Sequence, residues 1–216
     1  DLNLLPKAPN LDFEHGLWVS GIAQIAGVDE AGRGALAGPV SAGAVILPNH
    51  DKIMKQLDGV RDSKQISAKA RKVCQIAIQE FAISWGVGFA DQKEVDEIGI
   101  VPATRLAAIR AIVKLKPTAQ HLLVDAIKIP GAGLPETTLI KGDARSLSIA
   151  AASILAKVTR DEYLTDLAEK YPGYGFMSNK GYGTKQHLRA IAELGPCKIH
   201  RFSFAPMRQQ ESAAGE

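Results

Sequence analysis

Cysteine is scarce in this chain: Cys74 and Cys197 are its only two, far apart and with no Cys-x-x-Cys pair. That excludes a disulfide framework and a thiolate zinc site. Long apolar runs are missing as well. The stretches at 42–47 and 149–156 fall far short of the ~20 residues that span a bilayer. The opening Asp1-Leu2-Asn3-Leu4-Leu5-Pro6 lacks the basic start of a secretory signal. Neither sign of charge dominates, with 26 Lys+Arg against 23 Asp+Glu and a pI near 8.8. That is below the value of about 9 that flags a nucleic-acid-binding domain by charge alone. No internal repeat or low-complexity block occurs. What is present is 216 residues, 46% of them hydrophobic, which suits one domain around one large core. The expectation is a soluble, cytoplasmic, single-domain protein.

Pro6, Pro9 and Asn10 mark residues 1–20 as an N-terminal arm, and the small polar run at 208–216 reads as a flexible tail. The body is 21–207. Within it, 24–30 and 39–47 read as strands, rich in Val, Ile and small residues between Gly and Pro. Helical spacing of Ile66, Ala70, Val73, Ala77 and Phe81 predicts a helix over 67–80. Further strands are expected at 82–89, 121–125 and 137–141. Further helices are expected from Pro102 to about 114, over 144–170 and over 185–194, the last stopped by Gly195-Pro196. A run of strands followed by alternation with helices predicts an α/β or α+β layered domain on a mixed sheet.

The segment Gly27-Val28-Asp29-Glu30-Ala31-Gly32-Arg33-Gly34 ends an apolar strand on two adjacent carboxylates and continues into a glycine loop. Successive strand residues face opposite ways, so only a kink or bulge near Glu30 would aim both acids at one spot. Gly32-Arg33-Gly34-Ala35-Leu36-Ala37 also fits the loose dinucleotide fingerprint. Strand rather than helix follows it, however, and Asp29 and Glu30 would repel a pyrophosphate, so that reading is rejected. Asp125 ends the apolar run Leu122-Leu123-Val124, and Asp143 follows Lys141-Gly142 ahead of a long helix, where a helix N-cap is its plainest role. Together, the four acids sit at strand ends or helix starts that one sheet edge would gather. Two unit charges about 4 Å apart repel by roughly 4 kcal/mol at a surface-like dielectric. Divalent cations offset this, and carboxylate oxygens suit magnesium or manganese. Metal-assisted phosphoryl chemistry follows. Lys64, Lys141, Arg145, Lys180, Lys185 and Arg201 stand beside Gly, Ser or polar residues, placed to meet phosphates or simply to be solvated.

Seven motifs in order resemble the ribonuclease HII family over residues 25 to 206. They are the Gly27–Gly34 segment above, Asp62-Ser63-Lys64, Val124-Asp125, Lys141-Gly142-Asp143, the run AASILAKVTRD at 151–161, Asn179-Lys180-Gly181-Tyr182-Gly183-Thr184, and His200-Arg201-Phe202-Ser203-Phe204-Ala205-Pro206. The resemblance implies a ribonuclease H-like fold, a central mixed five-stranded sheet flanked by helices with a C-terminal helical portion. It implies an endonuclease acting on RNA in RNA/DNA hybrids and at single ribonucleotides in duplex DNA, leaving 3′-hydroxyl and 5′-phosphate ends. Asp29, Glu30, Asp125 and Asp143 take the places of the family's acidic residues, holding two ions of Mg2+ or Mn2+. Gly32, Arg33 and Gly34 match the loop that reads the ribonucleotide, and Tyr182 the tyrosine that packs on the following sugar. Lys64, Lys180 and Lys185 are candidate phosphate contacts. A monomer is expected; a clamp contact through the tail stays open. The sequence departs from the family at Ala126, where glycine is common, at Ser178-Asn179, which replaces a histidine-containing pair, and at Phe202, where a second base is frequent.

Four alternatives compete with this reading. Ribonuclease HIII typically has lysine in place of Arg33 and a sizeable N-terminal binding domain. An exonuclease of the same superfamily would also cluster acids. A non-catalytic hybrid-binding module has no need to keep mutually repelling carboxylates. A NAD-dependent oxidoreductase rests on the rejected fingerprint.

Overall fold

A computed structural model describes residues 5–61 and 63–207. Asp62 of the Asp62-Ser63-Lys64 motif and the tail at 208–216 lie outside the described residues. The central strand β1 (Ile25–Ala31) pairs antiparallel with β2 (Val40–Ile46), which pairs antiparallel with β3 (Ser84–Ala90). On its other side β1 runs parallel to β4 (His121–Asp125), and β4 parallel to β5 (Glu136–Leu139). The sheet order is β3-β2-β1-β4-β5. This is the expected mixed five-stranded sheet.

Helices cover both faces. They are α1 (Asp12–Val19), α2 (Lys52–Gln56), α3 (Ala68–Phe81), α4 (Gln92–Ile98), α5 (Ile100–Ile112), α6 (Leu147–Lys170), α7 (Phe176–Asn179) and α8 (Lys185–Leu194). Strand alternation sorts the core. Ala26, Val28, Ala42 and Ala44 pack with the alanines of α5, while Val45 and Val87 pack with α3 and α6. A third cluster joins Leu164 of α6 to Phe176 and Ile191 of the C-terminal helices. Among the described residues no helix is long and apolar enough to cross a membrane.

Helix α6 lies unusually close to the sheet. A Cβ on Gly27 would stand 2.1 Å from the backbone carbon of Ser148, and one on Gly43 would stand 2.3 Å from the carbonyl oxygen of Ala152. Only glycine on the strands admits backbone at that range. The consequence is that everything α6 carries at its start is pressed against the ends of β1 and β4.

Three expectations need correction. The N-terminal arm contains α1, which is docked through Glu14. That buried carboxylate accepts the Ser146 hydroxyl at 2.6 Å, and the backbone N–H and hydroxyl of Ser148 at 3.0 and 2.6 Å. The short apolar face of α1 and its one buried acid carried too little periodicity to be read from sequence. Helix α6 starts at Leu147 rather than 144, and Ser146 is its N-cap, accepting from the Ile149 N–H at 3.3 Å. Asp143 is therefore not the N-cap. It sits in the 3-10 turn Gly142–Ala144 before the helix. Finally, β1 has no bulge: Asp29 and Glu30 pair in unbroken register with Gly43 and Ala42.

Candidate active site

Regular alternation in β1 separates the two adjacent acids. Asp29 shares a face with Gly27, toward α6, whereas Glu30 shares the α5 face with Val28. In β4, Leu123 packs with Ile149 of α6, so Asp125 also faces α6. The parallel register Val28↔Val124 then sets Asp29 and Asp125 side by side at the carboxyl end of the sheet. The turn before α6 adds Asp143. One carboxylate oxygen from each of Asp29, Asp125 and Asp143 lies within 4.8 Å of the others.

Each acid is held. Asp29 accepts the Glu30 backbone N–H at 2.7 Å and a hydrogen bond from Ser153 of α6. Asp125 accepts the Gly142 N–H at 2.7 Å, which fastens the end of β4 to the turn carrying Asp143. Burial, then the charges of Glu30 and Asp125, push Asp29 well above the usual carboxylate range. Glu30 is raised chiefly by burial, and Arg33, 3.2 Å away, draws it back down. The pocket thus concentrates carboxylate charge where water solvates it poorly. Hard oxygen donors so arranged fit a divalent cation.

Beside the trio opens a groove of about 420 Å³, lined by Glu30, Gly32, Arg33, Gly34, Lys64 and Tyr182 together with Ser63, Ser153 and Lys157. Gly32 has φ of +90°, and a Cβ there would strike the Arg160 side chain at 2.0 Å. Arg160 is fully buried and donates to the carbonyls of Pro39 at 2.8 Å, Lys180 at 2.9 Å and Ala37 at 3.0 Å. It thereby locks the glycine loop to the turn that carries Tyr182. The Tyr182 ring lies 5.1 Å from the Lys157 ammonium and 5.3 Å from the Arg160 guanidinium.

The candidate cations divide. Lys64 is exposed at the groove, and Lys185 is exposed in the first turn of α8. Lys180 is half-buried, its ammonium on the Thr165 hydroxyl. Lys141 is exposed in a left-handed conformation, and Arg145 lies over the Phe13 ring at 5.0 Å. Arg201 does not meet phosphate. It is fully buried and donates to the carbonyls of Gly38 at 3.0 Å and Arg33 at 2.9 Å. Sequence reading assumed that an Arg flanked by polar residues would be solvated, and the loop packing overrode this. Ser153, Lys157 and Arg160 were missed as site residues. Their signal was there: a polar stripe at helical spacing on an otherwise apolar helix.

The departures also have places. Asn179 bridges its own turn, donating to the Tyr174 carbonyl at 2.7 Å and accepting the Gly181 N–H at 2.8 Å. Phe202 packs into the C-terminal cluster. Ala126 occupies left-handed backbone at φ 53°, which an L side chain adopts at a cost. Ala126→Gly is expected to stabilise the protein by about 1 kcal/mol while leaving cleavage unchanged. A urea melt beside a cleavage assay checks both.

An α/β sheet that gathers carboxylates at its carboxyl edge beside a cationic groove defines a metal-dependent nuclease of the ribonuclease H-like class. A family model described as Ribonuclease HII matches residues 26–207. The Ribonuclease HII of Chloroflexus aurantiacus is 49% identical over 200 residues, covering 92% of this chain and 94% of its own. The ribonuclease H2 structure from Pyrococcus horikoshii superposes with a TM-score of 0.75 at 26% identity, over 89% of this chain and 99% of its own. Bst-RNase HIII in complex with Mn2+ shares the fold, with a TM-score of 0.64 at 20% identity, over 89% of this chain and 70% of its own. The chain belongs to the ribonuclease HII family of metal-dependent endoribonucleases.

Proposed function

We propose that this ribonuclease nicks duplex DNA on the 5′ side of a single embedded ribonucleotide and also cuts the RNA strand of continuous hybrids. In both, water attacks the phosphorus and the bond to the 3′ oxygen breaks, leaving 3′-hydroxyl and 5′-phosphate ends. The observation that carries the reading is the convergence of Asp29, Asp125 and Asp143, with Asp29 hydrogen-bonded to Ser153, a residue that lines the groove formed by the glycine loop and Tyr182. Asp29, Asp125 and Asp143 would hold two ions of Mg2+ or Mn2+, with Glu30 flanking them. Such ions, when bound, lower the pKa of water and neutralise charge on the leaving oxygen.

The protein's own groups supply the selection. The loop Gly32-Arg33-Gly34 is lined against the groove, and the absence of a Cβ at Gly32 and Gly34 lets backbone amides and carbonyls approach a ribose 2′-hydroxyl. Tyr182 presents its ring to the next sugar, backed by the Lys157 ammonium, which is itself paired with Asp161 at 2.8 Å. Lys64, which also lines the groove, meets the backbone.

The test is a duplex with one internal ribonucleotide beside an all-DNA duplex and a continuous hybrid, each with Mg2+ or Mn2+. One nick 5′ of the ribonucleotide, with the all-DNA duplex intact, is the expected result. Tyr182→Ala is expected to lower cleavage at the single ribonucleotide by about tenfold, with a much smaller loss on the hybrid, since one sugar–ring contact is worth roughly 1–3 kcal/mol. Equal losses on both substrates would remove the sugar-reading role.

A further inference from the structure

The turn that carries Tyr182 is tied to the interior by two buried histidines that no step above uses. His187 Nδ1 lies 2.9 Å from the Tyr182 carbonyl oxygen. The two Nε2 atoms of His187 and His200 lie 3.1 Å apart. His200 Nδ1 receives the backbone N–H of Cys197 at 2.9 Å, and the Cys197 carbonyl oxygen and Sγ each lie 3.2 Å from the same nitrogen. Both rings are buried to within 1% of full enclosure, packed against Tyr174 and Phe176.

While both rings are neutral, the Tyr182 end of this chain fixes its protons. A carbonyl only accepts and an amide N–H only donates. His187 must therefore carry its proton on Nδ1, which leaves its Nε2 an acceptor. His200 must then donate from Nε2, and its Nδ1 accepts from Cys197. With both rings neutral, the opposite tautomer of either sets two acceptors face to face; a second proton on the pair could be taken up only by His200 Nδ1 turning to the Cys197 carbonyl, and burial opposes it. Burial lowers His187 and pushes His200 down to about 4, so both rings are neutral at pH 7.

We propose that His187 and His200, as a neutral pair in these fixed tautomers, are positioning residues that hold the Tyr182 backbone in register with the glycine loop. The far end of the relay is anchored in that loop: His200 bridges to Ala37, and the Arg201 N–H donates to the Leu36 carbonyl at 2.9 Å. The Leu36 N–H in turn donates to the Gly181 carbonyl at 2.7 Å, closing a ring of bonds around Tyr182. The pair thus sets the spacing between the two surfaces that meet successive sugars. The inference rests on the proposed role of Tyr182 in contacting the sugar.

Nitrogen-15 spectra of the imidazoles in the full chain test the arrangement without substrate. His187 is expected as the Nδ1–H tautomer, the less common form of free histidine, and His200 as the Nε2–H tautomer. Either ring in the opposite tautomer, or cationic at pH 7, overturns the proposal. Two substitutions test its effect on the reaction. His187→Asn places an amide N–H where Nδ1 stands and keeps the bond to Tyr182, whereas His187→Gln places its amide at the Nε2 position and loses that bond. His187→Gln is expected to reduce kcat/KM at a single ribonucleotide about tenfold and on continuous hybrid much less, with His187→Asn within about threefold of wild type. Equal losses on both substrates, or no difference between Asn and Gln, would overturn the positioning role. If instead Tyr182→Ala spares single-ribonucleotide cleavage while the tautomers stand, it is the sugar-reading role that fails and not the relay.

Discussion

Asp29→Asn is expected to lower metal-dependent cleavage by more than 100-fold and, in the same protein, to raise the melting temperature measured in chelator. The loss of activity follows from the ligand set. Substituting groups that merely orient a metal ligand typically costs about 10–100-fold, and Asp29 is one of three carboxylates that converge within 4.8 Å. The gain in stability follows from the same geometry. Asp29 is buried and its folded pKa lies above the ordinary value, first through burial and then through Glu30 and Asp125. A group raised in this sense stabilises the fold while protonated, and that stability is lost as pH rises through its folded pKa. Asparagine reproduces the protonated form at pH 7. The metal-free variant is therefore expected to gain about 1–2 kcal/mol, which for a chain of this size is a few degrees. Adding Mn2+ should reverse the order, because wild type binds the ion and the variant binds it poorly. Melts in chelator and in Mn2+, beside a cleavage assay, read all three. Retained turnover would remove Asp29 from the metal site.

Arg160→Met is expected to cost about 4 kcal/mol of folding stability, the largest single loss among the residues around the groove. The guanidinium serves three backbone carbonyls from two loops, Ala37 and Pro39 in the connection between β1 and β2 and Lys180 in the turn before Tyr182, and it is wholly buried. Methionine fills similar volume and satisfies none of them. Each orphaned buried carbonyl costs roughly 1–3 kcal/mol, partly relieved by relaxation. Arg160→Lys should recover little, since one ammonium on a flexible stem lacks the planar fork that reaches three acceptors. Denaturant melts give the stability. A loss below about 1 kcal/mol would mean that the two loops are held by other means. Below the unfolding transition, both variants should still bind metal, because Asp29, Asp125 and Asp143 do not depend on these bonds.

Much of the acidic edge could be read directly from sequence, because strands buried on both faces announce themselves as apolar runs ending in a charge. Asp29 and Asp125 were found in this way, and β1, β2 and β4 with them. What escaped was information held in contacts between segments. Asp143 looked like a helix cap until Ser146 took that role. Helix α4 was overlooked although Asp91 and Glu94 form a capping box, because the apolar face of so short a helix shows no clear period. Arg201 and Arg160 have similar local sequence surroundings to solvated arginines, and only the meeting of three loops makes them internal struts. Glu30 shows the reverse case. Alternation in an unbulged strand turns it away from its neighbour, and Arg33 becomes its partner.

The central strand acquires its two neighbours at very different moments of synthesis. β2 follows it almost at once and β3 soon after, so this three-stranded meander pairs locally as the chain leaves the ribosome. The other edge of β1 waits for β4, and the turn bearing Asp143 emerges later still. A nascent chain that has completed the meander carries Asp29 and nothing to set beside it. Glu14 finds Ser146 and Ser148 only after 132 and 134 further positions have been added. The enzyme is thus chemically silent until β4 and the Asp143 turn have been made, and a chain arrested before β4 holds an unmatched acid rather than a partial nuclease.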